Sequence, residues 1–255
     1  MRRGYFLSLL TLIVFVSAVN EIDPVFNKIE NDLKSMELHG NVRKMTELTI
    51  VGKVIGRENQ VGDTLYKDIY SFNDSGYLLN RISFDANLKL NLYYIYEYDD
   101  NGFKTCVTNY KLDSTFHGKS LFVYHAADTS IEERSYDEDR KYVCKNFVYY
   151  DSTGKIKKTM FHLFGDSPAN IYTYSDSDRK VDIKNISTSH TNSVHYIERY
   201  NVRGELVMEA TIINNKLESR YSYKHIYDAE GNWIIRYQIQ DSDTLFTQYR
   251  FIDYY

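Results

Sequence analysis

The chain has few of the residues that interrupt or cross-link a fold: 2 prolines, 2 cysteines and 1 tryptophan in 255 residues. Two cysteines are too few for the disulfide frameworks that stabilise small secreted domains. A basic excess is also missing, since 31 Lys and Arg face 35 Asp and Glu. Nucleic-acid binders favour a basic stripe, so we expect no nucleic-acid partner.

Motifs for known chemistry are missing as well. The sequence has no Walker loop, nucleophile elbow, dinucleotide fingerprint, His-Glu-x-x-His or Cys-x-x-Cys. Acidic pairs such as Asp99-Asp100 fall at predicted exposed turns, where a carboxyl lacks the burial that a general acid needs. A weak calcium site at clustered turn carboxylates is the alternative, although no calcium-binding pattern is present. We therefore predict a protein that is not an enzyme, with no catalytic residue, cofactor or metal.

The N-terminus has the pattern of an export signal. Arg2 and Arg3 precede an apolar run over residues 5–16, and the small residues Val16 and Ala18 stand at the −3 and −1 positions of a cleavage site. We expect residues 1–18 to be a signal peptide. The alternative is a retained anchor, but the run is shorter than the ~20 apolar residues that span a bilayer. No later stretch predicts a transmembrane helix.

A short amphipathic helix is predicted between Pro24 and Met36, within an N-terminal segment of residues 19–37. Apolar residues recur there at helical spacing. They are Val25, Phe26, Ile29, Leu33 and Met36. Residues 38–255 are predicted to form a single β-domain.

Tyrosine is the abundant residue, with 25 Tyr beside 13 Phe. Many of these aromatics open a repeated phrase, aromatic–acid/amide–x–x–Gly, that recurs every 24–27 residues. The five complete copies run from Phe72 to Gly76, from Tyr98-Asp99 to Gly102, from Tyr150-Asp151 to Gly154, from Tyr200 to Gly204 and from Tyr227-Asp228 to Gly231. Two degenerate copies begin at Tyr124 and Tyr174.

The phrase predicts a tight turn. Its acid or amide accepts backbone hydrogen bonds, and its glycine adopts positive φ, which closes a type I turn with a bulge. In the degenerate copies Asp128 and Asp178 stand at the glycine position and are expected to take the left-handed conformation. Each unit of about 26 residues therefore predicts a β-hairpin, in seven copies.

Alternation along the strands predicts two different faces. Tyr94, Tyr96 and Tyr98 point one way, while Ile95 and its equivalents point the other. The predicted fold is all-β, with tandem antiparallel hairpins in a long curled or coiled meander of about 15 strands. A sheet of that size rarely stays flat, so it must coil, split into layers or close.

The two cysteines are not expected to form a disulfide. Cys106 follows the turn of the second repeat and Cys144 precedes that of the fourth, which places them three strands apart, or about 14 Å. The Cα atoms of a disulfide lie within ~7 Å.

The sequence resembles the YD-repeat (RHS-like) group of exported bacterial proteins over roughly residues 38–255. The phrases that carry the resemblance are Tyr98–Gly102, Tyr150–Ile156 and Tyr227–Trp233, with the opening Gly40–Lys44. The repeat is longer than is usual in that group, and the core domain and toxin of large RHS proteins have no counterpart. The resemblance implies a coiled hairpin architecture and an envelope or surface location in a Gram-negative bacterium, either periplasmic, outer-surface or secreted. It implies no catalytic residue.

Function is open among three classes. The first is a binding or scaffold module for a glycan or an envelope protein, because tyrosine rings stack and donate hydrogen bonds at little entropic cost. Its candidate ligand surface is Tyr94, Tyr96, Tyr172, Tyr196 and Tyr223. The alternative for these residues is cross-strand packing.

The second class is an outer-membrane β-barrel, which needs a continuous apolar lipid face. Charges are predicted on both faces, with Arg81 and Glu209 on one and Lys104 and Lys158 on the other. The third class, a polysaccharide-active enzyme, would require two acids to converge in a deep pocket.

Overall fold

A computed structural model gives the fold. It describes residues 26, 32–52, 64–163, 170–175, 180–185, 194–201, 203 and 205–255. Between 163 and 195 it describes the backbone alone. The predicted signal peptide, Pro24, Ile29, Asp178 and Gly204 lie outside the described residues.

Within these ranges the chain forms one short helix, α1 (Asp32–Ser35), and sixteen strands. The strands are β1 (Val42–Val51), β2 (Thr64–Phe72), β3 (Leu78–Phe84), β4 (Leu90–Tyr98), β5 (Lys104–Tyr110), β6 (Phe116–His125), β7 (Ser130–Tyr136), β8 (Tyr142–Tyr150), β9 (Ile156–Leu163), β10 (Asn170–Ser175), β11 (Lys180–Asn185), β12 (Val194–Tyr200), β13 (Leu206–Ile213), β14 (Lys216–Tyr227), β15 (Trp233–Gln240) and β16 (Asp243–Tyr254).

The sheet is an antiparallel meander that closes on itself. Each strand pairs with its neighbours along the chain, and β1 also pairs with β16, where Glu47 lies opposite Arg250. The predicted all-β hairpin meander is confirmed. Of the three outcomes open to so long a sheet, closure into a barrel is the one adopted, and it removes both sheet edges.

The turns at one end of the barrel follow the repeated phrase. The Asp99 side chain accepts hydrogen bonds from the amides of Asn101 and Phe103, at 3.0 and 2.9 Å. Gly102 has φ of 82° and donates its amide to the Asp99 carbonyl. The register shifts at Tyr98, as a bulge requires. The equivalent glycines Gly76, Gly154 and Gly231 have φ of 84°, 85° and 87°.

The opposite end has the same turn without glycine. Asp85 and Asp137 each accept two backbone amides through Oδ1. The left-handed position is held by Leu88 with φ of 56° and by Arg140 with φ of 60°. At Asp85 and Asp137 the turn is thus of the same type as the glycine turns at the other end, with a residue other than glycine at positive φ.

The degenerate copy at Tyr124 differs from expectation. The residue with positive φ is Thr129, at 55°, rather than Asp128. Asp128 instead accepts a hydrogen bond from the Ser130 hydroxyl at 2.7 Å. The prediction for Asp128 is wrong because this turn spans residues 126–129 and passes from β6 to β7 without a register shift.

The two faces of the sheet are distinguished by the N-terminal segment, since Leu33 and Met36 pack on the face of Met45 and Tyr70. On the face that includes Met45 and Tyr70, even the charged residues Asp68 and Arg250 are 3% and 8% exposed. On the other face Phe251 is 60% exposed. We call the first the inward face and the second the outward face.

The N-terminal segment packs against the inward face at the end that has the glycine turns. Leu38, Val42, Met45, Phe72 and Leu78 form a buried cluster there. Farther round the barrel, Phe26 lies edge-on to the Tyr124 ring at 5.4 Å. Of the predicted helix, the described residues include the single turn α1, and residues 36–41 run from it to β1.

Both cysteines are free thiols that point to opposite faces. Cys106 lies opposite Leu121, Leu121 opposite Arg134, and Arg134 opposite Lys145, which places Cys106 on the face of Lys145. Cys144 precedes Lys145 in β8 and therefore points the other way.

Candidate functional site

The predicted ligand tyrosines share the inward face. Tyr94 lies opposite Arg81, which lies opposite Tyr70 of the inward face. Tyr96 contacts the buried cluster. In the other half of the barrel Tyr223 pairs with Gln238, and Tyr196, 37% exposed, pairs with Thr211. Tyr172 pairs with Ile183, and only its backbone is described.

A charged network holds the first of these tyrosines. Both nitrogens Nε and Nη2 of Arg81 bind the Asp68 carboxylate, at 3.0 and 2.9 Å. The Arg81 guanidinium lies 5.6 Å from the Tyr70 ring centre and 5.2 Å from that of Tyr94. Burial, opposed by the charge of Arg81, raises the pKa of Tyr96 to about 12. The Tyr96 phenol is therefore a neutral hydrogen-bond donor at physiological pH.

Lys104 corrects the charge pattern expected from the sequence. Strand alternation predicts Lys104 on the face opposite Arg81, yet its ammonium reaches inward to Asp32 Oδ1 at 2.9 Å. The cause is the bulge after the Tyr98 turn, which reverses the alternation at the first residue of β5. Asp32 also accepts the Tyr98 hydroxyl at 2.6 Å. Burial and Asp32 together raise the pKa of Tyr98 well above its usual range.

A second inward network surrounds the single tryptophan. Trp233 is fully buried, and its indole N–H donates to Glu37 at 2.9 Å. Arg250 donates to Glu47 at 3.0 Å, and Arg236 lies over the same indole ring at 4.6 Å. Burial lowers the pKa of Arg250 from its ordinary value. This network joins the N-terminal segment to β1, β15 and β16, so it serves the structure of this end of the barrel.

The end of the barrel opposite the N-terminal segment contains a cavity of about 470 Å³. Its lining combines the Tyr94 ring, the Asn109 amide and the hydroxyls of Ser120 and Ser135, which lie 3.0 Å apart. Gly118 forms part of the wall. Of the five predicted ligand tyrosines, Tyr94 is the member that the structure places in this cavity.

The outward face carries its own polar cluster on β6–β8. Arg134 binds the Glu132 carboxylate through two nitrogens at 2.9 and 2.8 Å, and His125 approaches it at 3.1 Å. The hydrogen bonds from Arg134 lower the pKa of Glu132. Phe147 pairs directly with Glu132 across the strands. The outward face is therefore not continuously apolar in this sector.

The sequence patterns missed the polar lining of the cavity. Asn109, Ser120 and Ser135 belong to no repeated phrase, and each is a common residue in a strand. Each of them stands at an inward position of its own strand. The sequence alone does not show that these positions are neighbours of Tyr94, because that depends on how the strands pair.

Within the described residues, no helix has the length and apolar character needed to cross a membrane. No group of three or more His, Cys, Asp or Glu side chains in that part of the chain is arranged to hold a metal ion.

No family model and no curated protein sequence matches the chain. A crystal structure of a porin-like protein from Bacteroides uniformis is similar, with a TM-score of 0.54 and 12% identity over 83% of this chain and 98% of that one. A TcdB2-TccC3-Cdc42 complex matches with a TM-score of 0.23 and 10% identity over 75% of this chain and 14% of that one, which is too weak to bear on the fold.

At this identity the first likeness is one of fold. The chain is an all-β antiparallel barrel, similar in architecture to that porin-like protein.

Proposed function

We propose that the protein is an exported, non-enzymatic component of the bacterial cell envelope that binds a glycan or partner chain through its tyrosine-lined interior. The observation that supports this most is the inward row that includes Tyr94, Tyr96 and Tyr223. A barrel of about sixteen strands is wide enough to leave an aqueous interior. An interior of this kind favours an extended glycan over a folded protein as the occupant.

Export is supported by the pattern of residues 1–18 and by the resemblance to YD-repeat proteins at Tyr98–Gly102 and equivalent turns. The porin-like fold of an envelope-type barrel agrees with that location. Expression of the full chain in a Gram-negative host, followed by fractionation, tests it. We expect the protein in the periplasmic, outer-membrane or secreted fraction with residues 1–18 removed. A cytoplasmic protein with an intact N-terminus would contradict export.

Binding through the interior is tested with one matched pair of variants. Tyr223 is inward on β14, whereas Tyr237 is outward on the neighbouring strand β15, opposite Lys224. We expect the wild-type chain to retain envelope glycans on an array, Tyr223→Ala to lose signal, and Tyr237→Ala to keep it. If the two variants retain glycans equally, the interior is not the binding surface.

An outer-membrane barrel is the second candidate, and closure by an even number of antiparallel strands favours it. The Glu132–Arg134–His125 cluster on the outward face argues against it, because buried ion pairs are costly in lipid. Carbonate extraction of host membranes separates the two. Retention in the pellet supports a barrel that spans the membrane. Release into the supernatant supports an exported binding protein that does not span it.

A further inference from the structure

The cavity at the end opposite the N-terminal segment has the mixed lining of a small-ligand site. Val107 and Val143 provide apolar contact, and Tyr94 provides an aromatic ring. Asn109, Ser120 and Ser135 provide an amide and two hydroxyls. Its volume of about 470 Å³ lies within the ~300–1,000 Å³ typical of ligand pockets, which are largely apolar with a few directed polar groups.

The carboxylates that line the cavity are already bound within the protein, and the lining ammonium group, that of Lys119, lies over the Tyr136 ring at 5.7 Å. Glu138 binds Lys111, and Asp139 binds Lys141 at 3.0 Å. The Asp137 carboxylate accepts the backbone amides of Asp139 and Lys141. A ligand therefore need not carry a charge, and an uncharged one avoids competing with these pairs.

The cavity wall has no room for a side chain at Gly118. A Cβ at Gly118 would lie 2.7 Å from the Tyr136 carbonyl oxygen and 3.1 Å from Asn109 Oδ1, so a side chain there would collide with the backbone. The strand register shifts after Asn109 and after Ser135, on both sides of the cavity. Such bulges bend strands and redirect side chains near binding sites.

We infer that this cavity binds a short, uncharged saccharide, with Tyr94 packing against the C–H face of a sugar ring and Asn109 hydrogen-bonding its hydroxyls. The inference rests on the proposed glycan-binding function and locates it. A sugar has one apolar face and a rim of hydroxyls, which matches an aromatic ring surrounded by amide and hydroxyl groups.

Two matched pairs of variants test the inference. Asn109→Ala changes an inward residue that lines the cavity, and Thr108→Ala changes its outward neighbour on β5. Tyr94→Ala and Tyr93→Ala form the same comparison on β4. The affinity of the purified mature chain is measured by titration calorimetry against neutral gluco-, galacto-, manno- and N-acetylglucosamine oligosaccharides, with uronic-acid oligosaccharides as the charged comparison. Circular dichroism establishes that each variant is folded.

The comparison uses the neutral oligosaccharide that binds wild type most tightly. We expect Asn109→Ala to bind it about tenfold more weakly, as loss of one ligand hydrogen bond implies. Thr108→Ala should bind it with wild-type affinity. Tyr94→Ala should also weaken binding. Because this change also removes the contact with Arg81, it can lower the stability of the protein. If Tyr94→Ala does not fold, the Asn109→Ala and Thr108→Ala pair decides whether the cavity binds the saccharide. Equal affinities within both pairs, or binding of uronic-acid oligosaccharides alone, would overturn the inference. If Tyr223→Ala abolishes glycan retention while the cavity variants leave it intact, the proposed function stands and the cavity assignment falls. If the wild-type chain retains no saccharide of either kind, both glycan binding and the cavity assignment are overturned.

Discussion

The guanidinium carbon of Arg250 lies 3.5 Å from the centre of the Trp233 ring, inside the barrel. The same arginine pairs with Glu47, and the two side chains are 7% and 13% exposed. Since Glu47 belongs to β1 and Arg250 to β16, this ion pair spans the strand pair that closes the sheet.

Removing one partner of this pair should be strongly destabilising. We expect Arg250→Met to lower the free energy of unfolding by about 3 kcal/mol, because Glu47 is left as a buried, unpaired carboxylate. The double variant Glu47→Met/Arg250→Met should lose less than the sum of the two single changes, with a coupling of about 1–3 kcal/mol. Urea unfolding followed by Trp233 fluorescence measures all four proteins. Additive losses would mean that the pair does not stabilise closure.

The glycine turns provide a comparison between two positions of similar backbone conformation. A Cβ at Gly102 would lie 2.1 Å from the Tyr77 hydroxyl oxygen, whereas at Gly52 nothing lies within 4 Å. Both have positive φ, +82° and +77°. We expect Gly52→Ala to cost about 1–2 kcal/mol from backbone conformation alone. Gly102→Ala should cost more, because Tyr77 must leave its contact with Tyr98.

Thermal unfolding of the two variants measures the difference. A Gly102→Ala protein as stable as Gly52→Ala would show that Tyr77 moves without loss.

These turns also show which parts of the fold can be predicted from local sequence. The phrase that begins at Tyr98 and ends at Gly102 predicts its turn because the Asp99 carboxylate and the glycine φ are local requirements. The opposite turns use the same hydrogen bonds but place Leu88 and Arg140 in the left-handed position, so no glycine marks them. The repeat of about 26 residues is therefore visible from one end of the barrel only.

Local sequence patterns do not predict the closure of the barrel or the cavity, because both depend on contacts between residues that are far apart in the chain. Glu47 and Arg250 are separated by 203 positions in the chain, and nothing in the alternation of either strand specifies its partner. Alternation did predict the shared face of Tyr94 and Tyr96, but the bulge at Tyr98 reversed the side of Lys104. Asn109 and Ser120 become neighbours of Tyr94 only through the register of three strands.

Burial of phenols predicts a loss of stability at high pH. Burial alone raises the pKa of Tyr150 to about 12, while the unfolded value is about 10. A raised pKa in the folded state contributes stability below the unfolded pKa that is lost as pH rises through the folded one. The free energy of unfolding should therefore fall between pH 10 and 12.

Tyr150→Phe removes this titrating group. Between pH 10 and 12 the free energy of unfolding should decrease less in Tyr150→Phe than in wild type. We expect the two decreases to differ by up to about 2 kcal/mol. Below pH 9 the two proteins should have parallel pH dependence, which serves as the internal control. Urea unfolding at stepped pH measures both. Identical slopes above pH 10 would mean that the Tyr150 phenol is not desolvated.

Asp32 is the polar anchor of the N-terminal segment. It accepts hydrogen bonds from the Tyr98 hydroxyl, the Lys104 ammonium and the Leu78 amide, the last at 3.1 Å. Hydrogen bonds to a charged group contribute about 1.5–3 kcal/mol each. We expect Asp32→Ala to release the segment locally while the strands stay paired, because the strand hydrogen bonds do not involve this carboxylate.

Native-state hydrogen exchange distinguishes local release from global unfolding. The amides of Leu33 and Leu38, bonded to the carbonyls of Gly76 and Leu33, should exchange at least about tenfold faster in Asp32→Ala, as a loss of about 1.4 kcal/mol implies. Strand amides such as that of Ile95 should keep their rates. Ser35→Ala is the matched control, because its hydroxyl makes only an exposed bond to the Asp32 carbonyl. Acceleration of the segment and the strands together would show that Asp32 supports the whole barrel, and unchanged rates would show that apolar packing alone holds the segment.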